Sequence, residues 1–497
     1  MRSSAGATPF LAALVIGVLA GVQALVIAPP AHAGHGLDGM PDEAVDGLDT
    51  AAAPAGFDIG DDGLHINVRY HTLENGLRVV LSEDHTVPTA TVGVYYGIGY
   101  RREPRGRTGF AHLFEHLFFA GSENLPVDSY HEFVSARGGM TNASTRLDFT
   151  NYFTVVPSNA LDTVLWAEAD RMASPTLSSR VFRRERDVVR NEIFVNVENQ
   201  PYGGASWIDL PMIAFDNWHN AHNFYGDLSD LDAATITEAR DFFERYYTPT
   251  NAVLVVAGAF DSEHVLPLIE RYFGTIPAGE ELEPVDVSET RQTGERRAQQ
   301  YDRLAQQPYL VLGYRMPERG TPEYYAMALI DQLMLAGNGG RLQRRLVDER
   351  GYTSGVTGGI NLLGNVHNYD GPMLWTVSMV HSEDFGTDPI LADFDAEIAR
   401  LQDAPLSEAE LQRARTLLMT EFYGRLDYST RLGIIDLFDD DPHRINRIED
   451  GFDRVTPDLI QATAREYLRP ENRTILEVIP GTGPGTEAEP ATREPKP

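Results

Sequence analysis

Tyr246, Pro249 and Asn251 recur as Tyr467, Pro470 and Asn472, each 221 positions on, and an apolar run follows both sets: AVLVVAG after the first, RTILEVIPG after the second. A helix leading into x-Pro-x-Asn and then a buried strand is one supersecondary unit. Its second use constrains the 497-residue chain to two similar halves. That length also exceeds what one core serves, so domains of roughly 200 residues are expected. The polar, charge-dense stretch 278–300 (AGEELEPVDVSETRQTGERRAQQ) reads as the connection between them.

Strand-like runs at 78–82, 90–97, 152–157, 309–314 and 373–379 are interleaved with amphipathic segments such as 161–173 and 407–423, without strict alternation. The mixture predicts an α+β fold of two homologous halves, 64–277 and 301–480, each a largely antiparallel sheet packed with helices. Residues 1–33 read as an export signal: Arg2, an apolar run from Phe10 to Ile27, then Ala31-His32-Ala33 as the cleavage site. The run approaches membrane-spanning length, so an uncleaved anchor is the alternative. An exported chain, periplasmic or secreted, is expected, with no stable membrane span once the signal is removed. Residues 34–63, rich in Gly, Asp, Ala and Pro, read as a flexible leader, and 481–497 as a disordered tail.

The chain has no cysteine, which removes disulfides, thiolate metal sites and cysteine nucleophiles together. Any metal must be held by histidine and carboxylates. A formal charge of −32 argues against a nucleic-acid partner, because binding phosphates requires a basic face.

In the segment GFAHLFEHLFFAG (109–121), Phe110, Leu113, Phe114, Leu117 and Phe118 fall at i, i+3, i+4, i+7 and i+8, which predicts a helix with a buried apolar stripe. His112, Glu115 and His116 stack on another side of it, at i, i+3 and i+4. A carboxylate buried between two imidazoles costs several kcal/mol unless something pairs with it, and a divalent cation does so readily. Two histidines at i and i+4 can direct ring nitrogens at one zinc, with the glutamate at i+3 left to act on water. The order H-x-x-E-H is the inverse of H-E-x-x-H.

Two histidines leave a tetrahedral zinc one protein ligand short. The segment 181–203, read as helical, offers Glu185 and Glu192, seven apart on one face, with Phe182, Val189 and Ile193 to seat it. These glutamates serve equally as salt-bridge partners for Arg186 and Arg190 on a solvated face. A rival metal set, His32, His35, His219 and His222, is weaker, since His219 and His222 lie beside Trp218 and Phe224 and suit loop or core packing.

The segment TGFAHLFEHLFFAGS, Glu192 placed 76 positions after His116, and Glu185 seven before it resemble the pitrilysin and insulin-degrading enzyme family of inverzincin zinc metallopeptidases, on the bacterial branch similar to mitochondrial processing peptidase. LENGLRVVLSED, GGMTNASTRLDFTNYF, YTPTNAVLVVAG and GGRLQRRLVDERG extend the resemblance over about 65–481. It implies one Zn2+ per chain held by His112, His116 and Glu192, Glu115 as general base, and Glu185 as a carboxylate behind the ligands. It implies that 138–148 is an edge strand receiving a peptide substrate, with Asn142 and Ala143 at the backbone-contacting positions. The two halves would close like a clam shell over a chamber that admits unfolded peptides.

The chain departs from that pattern in its second half. Family enzymes carry an Arg and a Tyr seven apart that reach the substrate carbonyl, and the matching positions in RLVDERGYTS are Val347 and Ser354. Arg345 and Tyr352 are also seven apart but sit two residues early, a rotation of about 200° on a helix. Ala328, Asp331 and Gln332 align with the three motif residues, so this half is expected to be a degenerate copy without metal. The implied function is a zinc-dependent endopeptidase, the H-x-x-E-H subunit of a two-subunit enzyme whose partner, a second family chain or another copy, supplies the Arg/Tyr pair. The alternative is a non-catalytic assembly subunit.

Overall fold

The valine-rich runs become the centres of two sheets. The computed structural model describes residues 57–60, 63–424 and 428–483, so the signal segment and most of the leader and tail lie outside the described residues. All the described residues fall within one unit, Pro54–Pro497. The strands are β1 (Phe57–Gly60), β2 (Gly63–Ile66), β3 (Arg69–Thr72), β4 (Arg78–Glu83), β5 (Thr89–Tyr96), β6 (Met140–Thr145), β7 (Thr150–Pro157), β8 (Ala252–Gly258), β9 (Arg296–Asp302), β10 (Tyr309–Arg315), β11 (Thr357–Ile360), β12 (Leu374–Val380) and β13 (Arg473–Pro480).

The first sheet runs β3-β4-β8-β5-β7-β6 and the second β11-β12-β10-β13-β9. Each contains one parallel pair, β4 with β8 and β9 with β13, and is otherwise antiparallel. Laid over one another, β4-β8-β5-β7-β6 matches β9-β13-β10-β12-β11 in order and direction. The repeat seen in the sequence is therefore a repeat of topology, and its offset holds residue by residue. Helix Ile236–Tyr246, turn Pro249–Asn251 and β8 are followed 221 positions later by helix Pro457–Tyr467, turn Pro470–Asn472 and β13. The shared asparagines hold both units in the same way, each side-chain amide donating, at 2.8 Å, to the carbonyl of the tyrosine ending the helix, Tyr246 or Tyr467. A carbonyl left without a helical partner is thereby satisfied where the chain turns into the strand.

Each half also covers the other's sheet. Helix Leu210–Ala214, from the first half, packs on β10 and β13, where Ala205, Leu210, Ala214 and Phe215 bury against Val311, Leu374, Leu476 and Val478. Helix Tyr428–Asp439, from the second half, packs on β5 and β8. Adding 221 to 210–214 lands inside that helix, so the two halves exchange equivalent elements.

The structure differs from the sequence expectations at three places. The segment read as a helix over 181–203 is α-helical only over Ser179–Ile193; it loosens into a π-helical turn, Phe194–Glu198, and leaves helical geometry near Tyr202 and Gly204, both at positive φ. Asn199-Gln200-Pro201 explains the end, since proline disfavours helical backbone at the residue before it. Within the segment read as leader, β1 pairs with β2, Phe57 opposite Ile66 and Ile59 opposite Leu64, an alternation too short to stand out among its glycines and aspartates. Third, β9 begins at Arg296, inside the stretch read as connection, because its alternating exposed and half-buried residues look polar throughout.

Leu210 is fully buried and meets the bare backbone of Gly313, where a Cβ would stand 2.9 Å from its Cδ2. Leu210→Ala should leave a cavity in the shared layer and cost about 2–4 kcal/mol. The measurement is the urea midpoint, which falls while the slope stays that of the parent.

Candidate metal centre

The motif helix, Phe110–Leu117, exists because its apolar stripe is the centre of the first half's core. Phe110, Leu113, Phe114 and Leu117 are fully buried, Phe114 stacks on Tyr247 at 4.9 Å, and Tyr152 Oη donates to Phe114 O at 2.9 Å. Its start is fixed from outside the motif. Glu103, itself fully buried, accepts from Gly109 N (2.8 Å, Oε2) and Ala111 N (2.6 Å, Oε1), satisfying two N–H groups that no helical carbonyl reaches. Gly109 turns in at φ 82, where a Cβ would lie 2.4 Å from Tyr225 O, so only glycine fits.

The other side of this helix carries His112, Glu115 and His116, and the glutamate helix, Ser179–Ile193, packs against it. Glu192 Oε2 lies 3.5 Å from His112 Nε2 and 3.6 Å from His116 Nε2. The three groups can each offer one ligand atom within 4.8 Å of the others. Those separations are long for hydrogen bonds, but tetrahedral zinc with bonds of about 2.0–2.2 Å holds its ligand atoms about 3.3–3.6 Å apart. Two of the three are buried, His112 at 1% exposed and Glu192 at 7%, His116 is half-buried, and Phe224 and Tyr225 wall His112 with ring centres at 5.2 and 5.1 Å. The residues present therefore fit a zinc ion. Of the arginines that offered the glutamates a solvated alternative, Arg190 pairs with Asp232 and Arg186 approaches Asp187.

Burial depresses the pKa of His112, helped by the neighbouring His116 charge. Burial acts the same way on His116, but Glu192, with Glu115 and Glu185 behind it, carries its pKa upward. For Glu192, burial favours the neutral acid, yet His116 and His112 outweigh it and hold the carboxylate below the usual range. Without a cation the site thus favours an ionised Glu192 against a charged His116 and a neutral His112, and a metal would take the place of the His116 proton.

Glu115 is 5% exposed and accepts from Thr145 Oγ1 at 2.8 Å through Oε2. Glu185 Oε2 is 4.0 Å from His116 Nδ1, while its Oε1 takes Arg184 Nε at 2.7 Å, and Arg184 forks onto Asp128. Asn142 and Ala143 lie on β6, an edge strand paired only with β7, and Ala143 N donates to Asn142 Oδ1 at 2.9 Å. Val347 is half-buried and Ser354 exposed. Arg345 and Tyr352 are both committed to Asp393, at 2.5 and 2.7 Å. His219 Nδ1 sits 2.9 Å from Arg101 O and His222 stacks on Trp218 at 4.2 Å, so neither joins the metal grouping; His32 and His35 lie outside the described residues.

Sequence reasoning misses Glu103 and Thr145. A glutamate six residues before Gly109 gives no periodic signal, and a threonine ending a strand is commonplace until the fold brings it to Glu115. In the second half, Ala328, Asp331 and Gln332 lie on helix Pro322–Leu335, and among the described residues no three metal-ligating groups converge there. Asp331 instead accepts from Trp375 Nε1 at 2.8 Å.

Comparisons with known proteins agree with this fold. The fold and the His–His–Glu grouping define a metallopeptidase-like chain of two related sheet-and-helix halves. Residues 78–204 match the family model described as Insulinase (Peptidase family M16), and 233–418 match Peptidase M16 inactive domain. The chain belongs to the M16 family, that of insulinase. It is 30% identical over 289 residues to the zinc protease PqqE of Helicobacter pylori, covering 56% of this chain and 63% of that protein, so the match spans less than two thirds of that relative's length. It is 29% identical over 205 residues to the probable mitochondrial-processing peptidase subunit beta of Arabidopsis thaliana, covering 41% and 38%. The crystal structure of a protease from Helicobacter pylori superposes with a TM-score of 0.76 at 25% identity, over 83% of this chain and all of that one.

Two carboxyl groups here, Glu103 buried and Asp331 half-buried, should have measurable effects on stability. Glu103→Ala removes the acceptor of two buried N–H groups and should cost about 2–3 kcal/mol, measured by thermal unfolding. Burial raises the Asp331 carboxyl to about 7, against the pull of Trp375 Nε1–H. The folded chain then keeps a proton that the unfolded chain releases near its ordinary pKa of 3.8. Stability should fall as pH rises from about 4 to 7, and Asp331→Asn should flatten that fall, gaining on the order of 1–2 kcal/mol at pH 7 in urea titrations.

Proposed function

We propose that this chain is the zinc-bearing subunit of an endopeptidase that hydrolyses unfolded peptides, exported from the cytoplasm. The observation that carries the reading is the convergence of His112 Nε2, His116 Nε2 and Glu192 Oε2 in a secluded site, spaced for a metal rather than for one another. His112, His116 and Glu192 would hold zinc, which when bound polarises a carbonyl and makes water nucleophilic near neutral pH.

The chain's own residues do the rest. Thr145 ties down one oxygen of Glu115, leaving the other to accept a proton from the attacking water and return it to the leaving amine. Glu185 orients His116 from behind. The free edge of β6 takes the peptide as an added strand, with Asn142 and Ala143 at the backbone. No covalent intermediate is required.

Neither Val347 nor Ser354 offers what an Arg/Tyr pair would, and Arg345 and Tyr352 are held by Asp393. This supports a two-subunit enzyme whose partner, a second family chain or another copy, brings the missing donors. Losing an oxyanion donor costs about 10²–10³ in rate, so the lone chain should be slow. The same absence favours a second reading, a non-catalytic assembly subunit, and a complete metal set weighs against it.

Glu115→Gln should abolish peptide hydrolysis while leaving about one zinc per chain by elemental analysis, whereas Glu192→Gln should lose the metal. Unchanged turnover in Glu115→Gln would remove the base assignment. Adding a family chain that carries Arg and Tyr should raise turnover at least tenfold, and full hydrolysis by the chain alone would remove the two-subunit reading.

A further inference from the structure

Arg146 directly follows the strand end that positions Glu115, and its charge is unmatched. Among the described residues its guanidinium makes one long hydrogen bond, Nη1 to Thr145 O at 3.4 Å, and no carboxylate lies within 4.0 Å of it. Several other buried or half-buried arginines are paired: Arg101 with Asp148, Arg171 with Glu168, Arg319 with Asp439, and Arg473 with Glu295 and Asp395. Acidic residues outnumber basic ones 73 to 41 in this chain, so a guanidinium without one needs an explanation.

The surroundings isolate the charge further. Burial pushes the Arg146 pKa down, and the groups whose fields act on it are Glu115 and Tyr100. Its backbone is fixed on both sides, Arg146 N donating to Phe149 O at 2.8 Å and Tyr100 N to Arg146 O at 3.2 Å. The side chain is half-buried, and its backbone adjoins Thr145, the residue that donates to Glu115. A partly desolvated cation held in place with no carboxylate in contact is stabilised by an anion arriving from outside.

Resting on the peptidase reading above, we infer that Arg146 determines substrate specificity by receiving a carboxylate of the bound peptide beside the bond to be cut. That carboxylate is either an Asp or Glu side chain or the peptide's C-terminus. Planar, bidentate pairing suits a guanidinium for both. The chain's own negative charge then works against acidic peptides at long range, and Arg146 admits them at one position.

The test uses the zinc-loaded full chain carrying Glu115→Gln, so that peptides bind without being cut, and reads affinity by fluorescence anisotropy. The probes are labelled unstructured peptides identical except for Glu or Gln at one scanned position, each with a free or amidated C-terminus. The expected result is about tenfold tighter binding of the carboxylate-bearing member, lost on adding Arg146→Met while the uncharged peptide binds as before. Preference for Glu over Gln identifies a side chain, and preference for the free over the amidated end identifies the C-terminus. Arg146→Lys should keep part of the preference, and serves should the methionine variant fail to fold; Arg146→Glu should turn it toward Lys-bearing peptides. Equal weakening of charged and uncharged peptides, or no change in either, overturns the inference and leaves the peptidase reading standing. Absence of any peptide binding in the Arg146-bearing chain contradicts the peptidase reading itself, and the inference with it.

Discussion

One short helix has to meet two incompatible demands. Its phenylalanines and leucines form the centre of the first half's core, while His112, Glu115 and His116 bring ionisable groups to the same depth. Burial of His112 and Glu115 leaves water little room to lower the cost, so the protein has to. It does so by placing Glu192 across from both imidazoles, Thr145 on Glu115 and Glu103 under the helix's first turn. On the proposed reading a divalent cation would complete that arrangement, and each of these contacts comes from a different part of the chain. The metal centre is therefore a tertiary product built on one local motif.

The duplicated architecture delivers those parts. The glutamate helix ends in a π-helical turn, and the chain then crosses to lay Leu210–Ala214 on the second sheet, while Tyr428–Asp439 returns the exchange on the first. Glu192 thus sits about one helix upstream of the layer that joins the halves. Among the described residues, only the first copy keeps a converging set of metal ligands; at the equivalent place the second has Asp331 bonded to Trp375, a core contact in place of chemistry. No helix among the described residues is long and apolar enough to cross a membrane.

Much of this is legible in the sequence, for reasons that differ by element. The 3.6-residue stripe of Phe110–Leu117 and the valine-rich strands declare themselves because burial imposes a period. The Tyr-Pro-Asn repeat is legible because the asparagine cap tolerates little else. Glu192 is a candidate among equals on sequence alone: the spacing puts it on a face with Glu185 but cannot say what the face meets. Glu103, Thr145 and Arg146 carry no signal, since a single residue acting across the fold has no periodicity. The exchange of helices between halves is equally silent, because the segments concerned look like any apolar stretch. The early end of the glutamate helix is misjudged when its amphipathic period is read past Asn199-Gln200-Pro201.

X-ray absorption at the zinc edge of the purified, unchelated protein tests the central claim most directly. The account predicts a metal bound by two imidazole nitrogens and carboxylate oxygen at about 2.0–2.2 Å, with those bond lengths altered by Glu192→Asp. A spectrum without imidazole scattering, or one unaffected by changing residue 192, would contradict it.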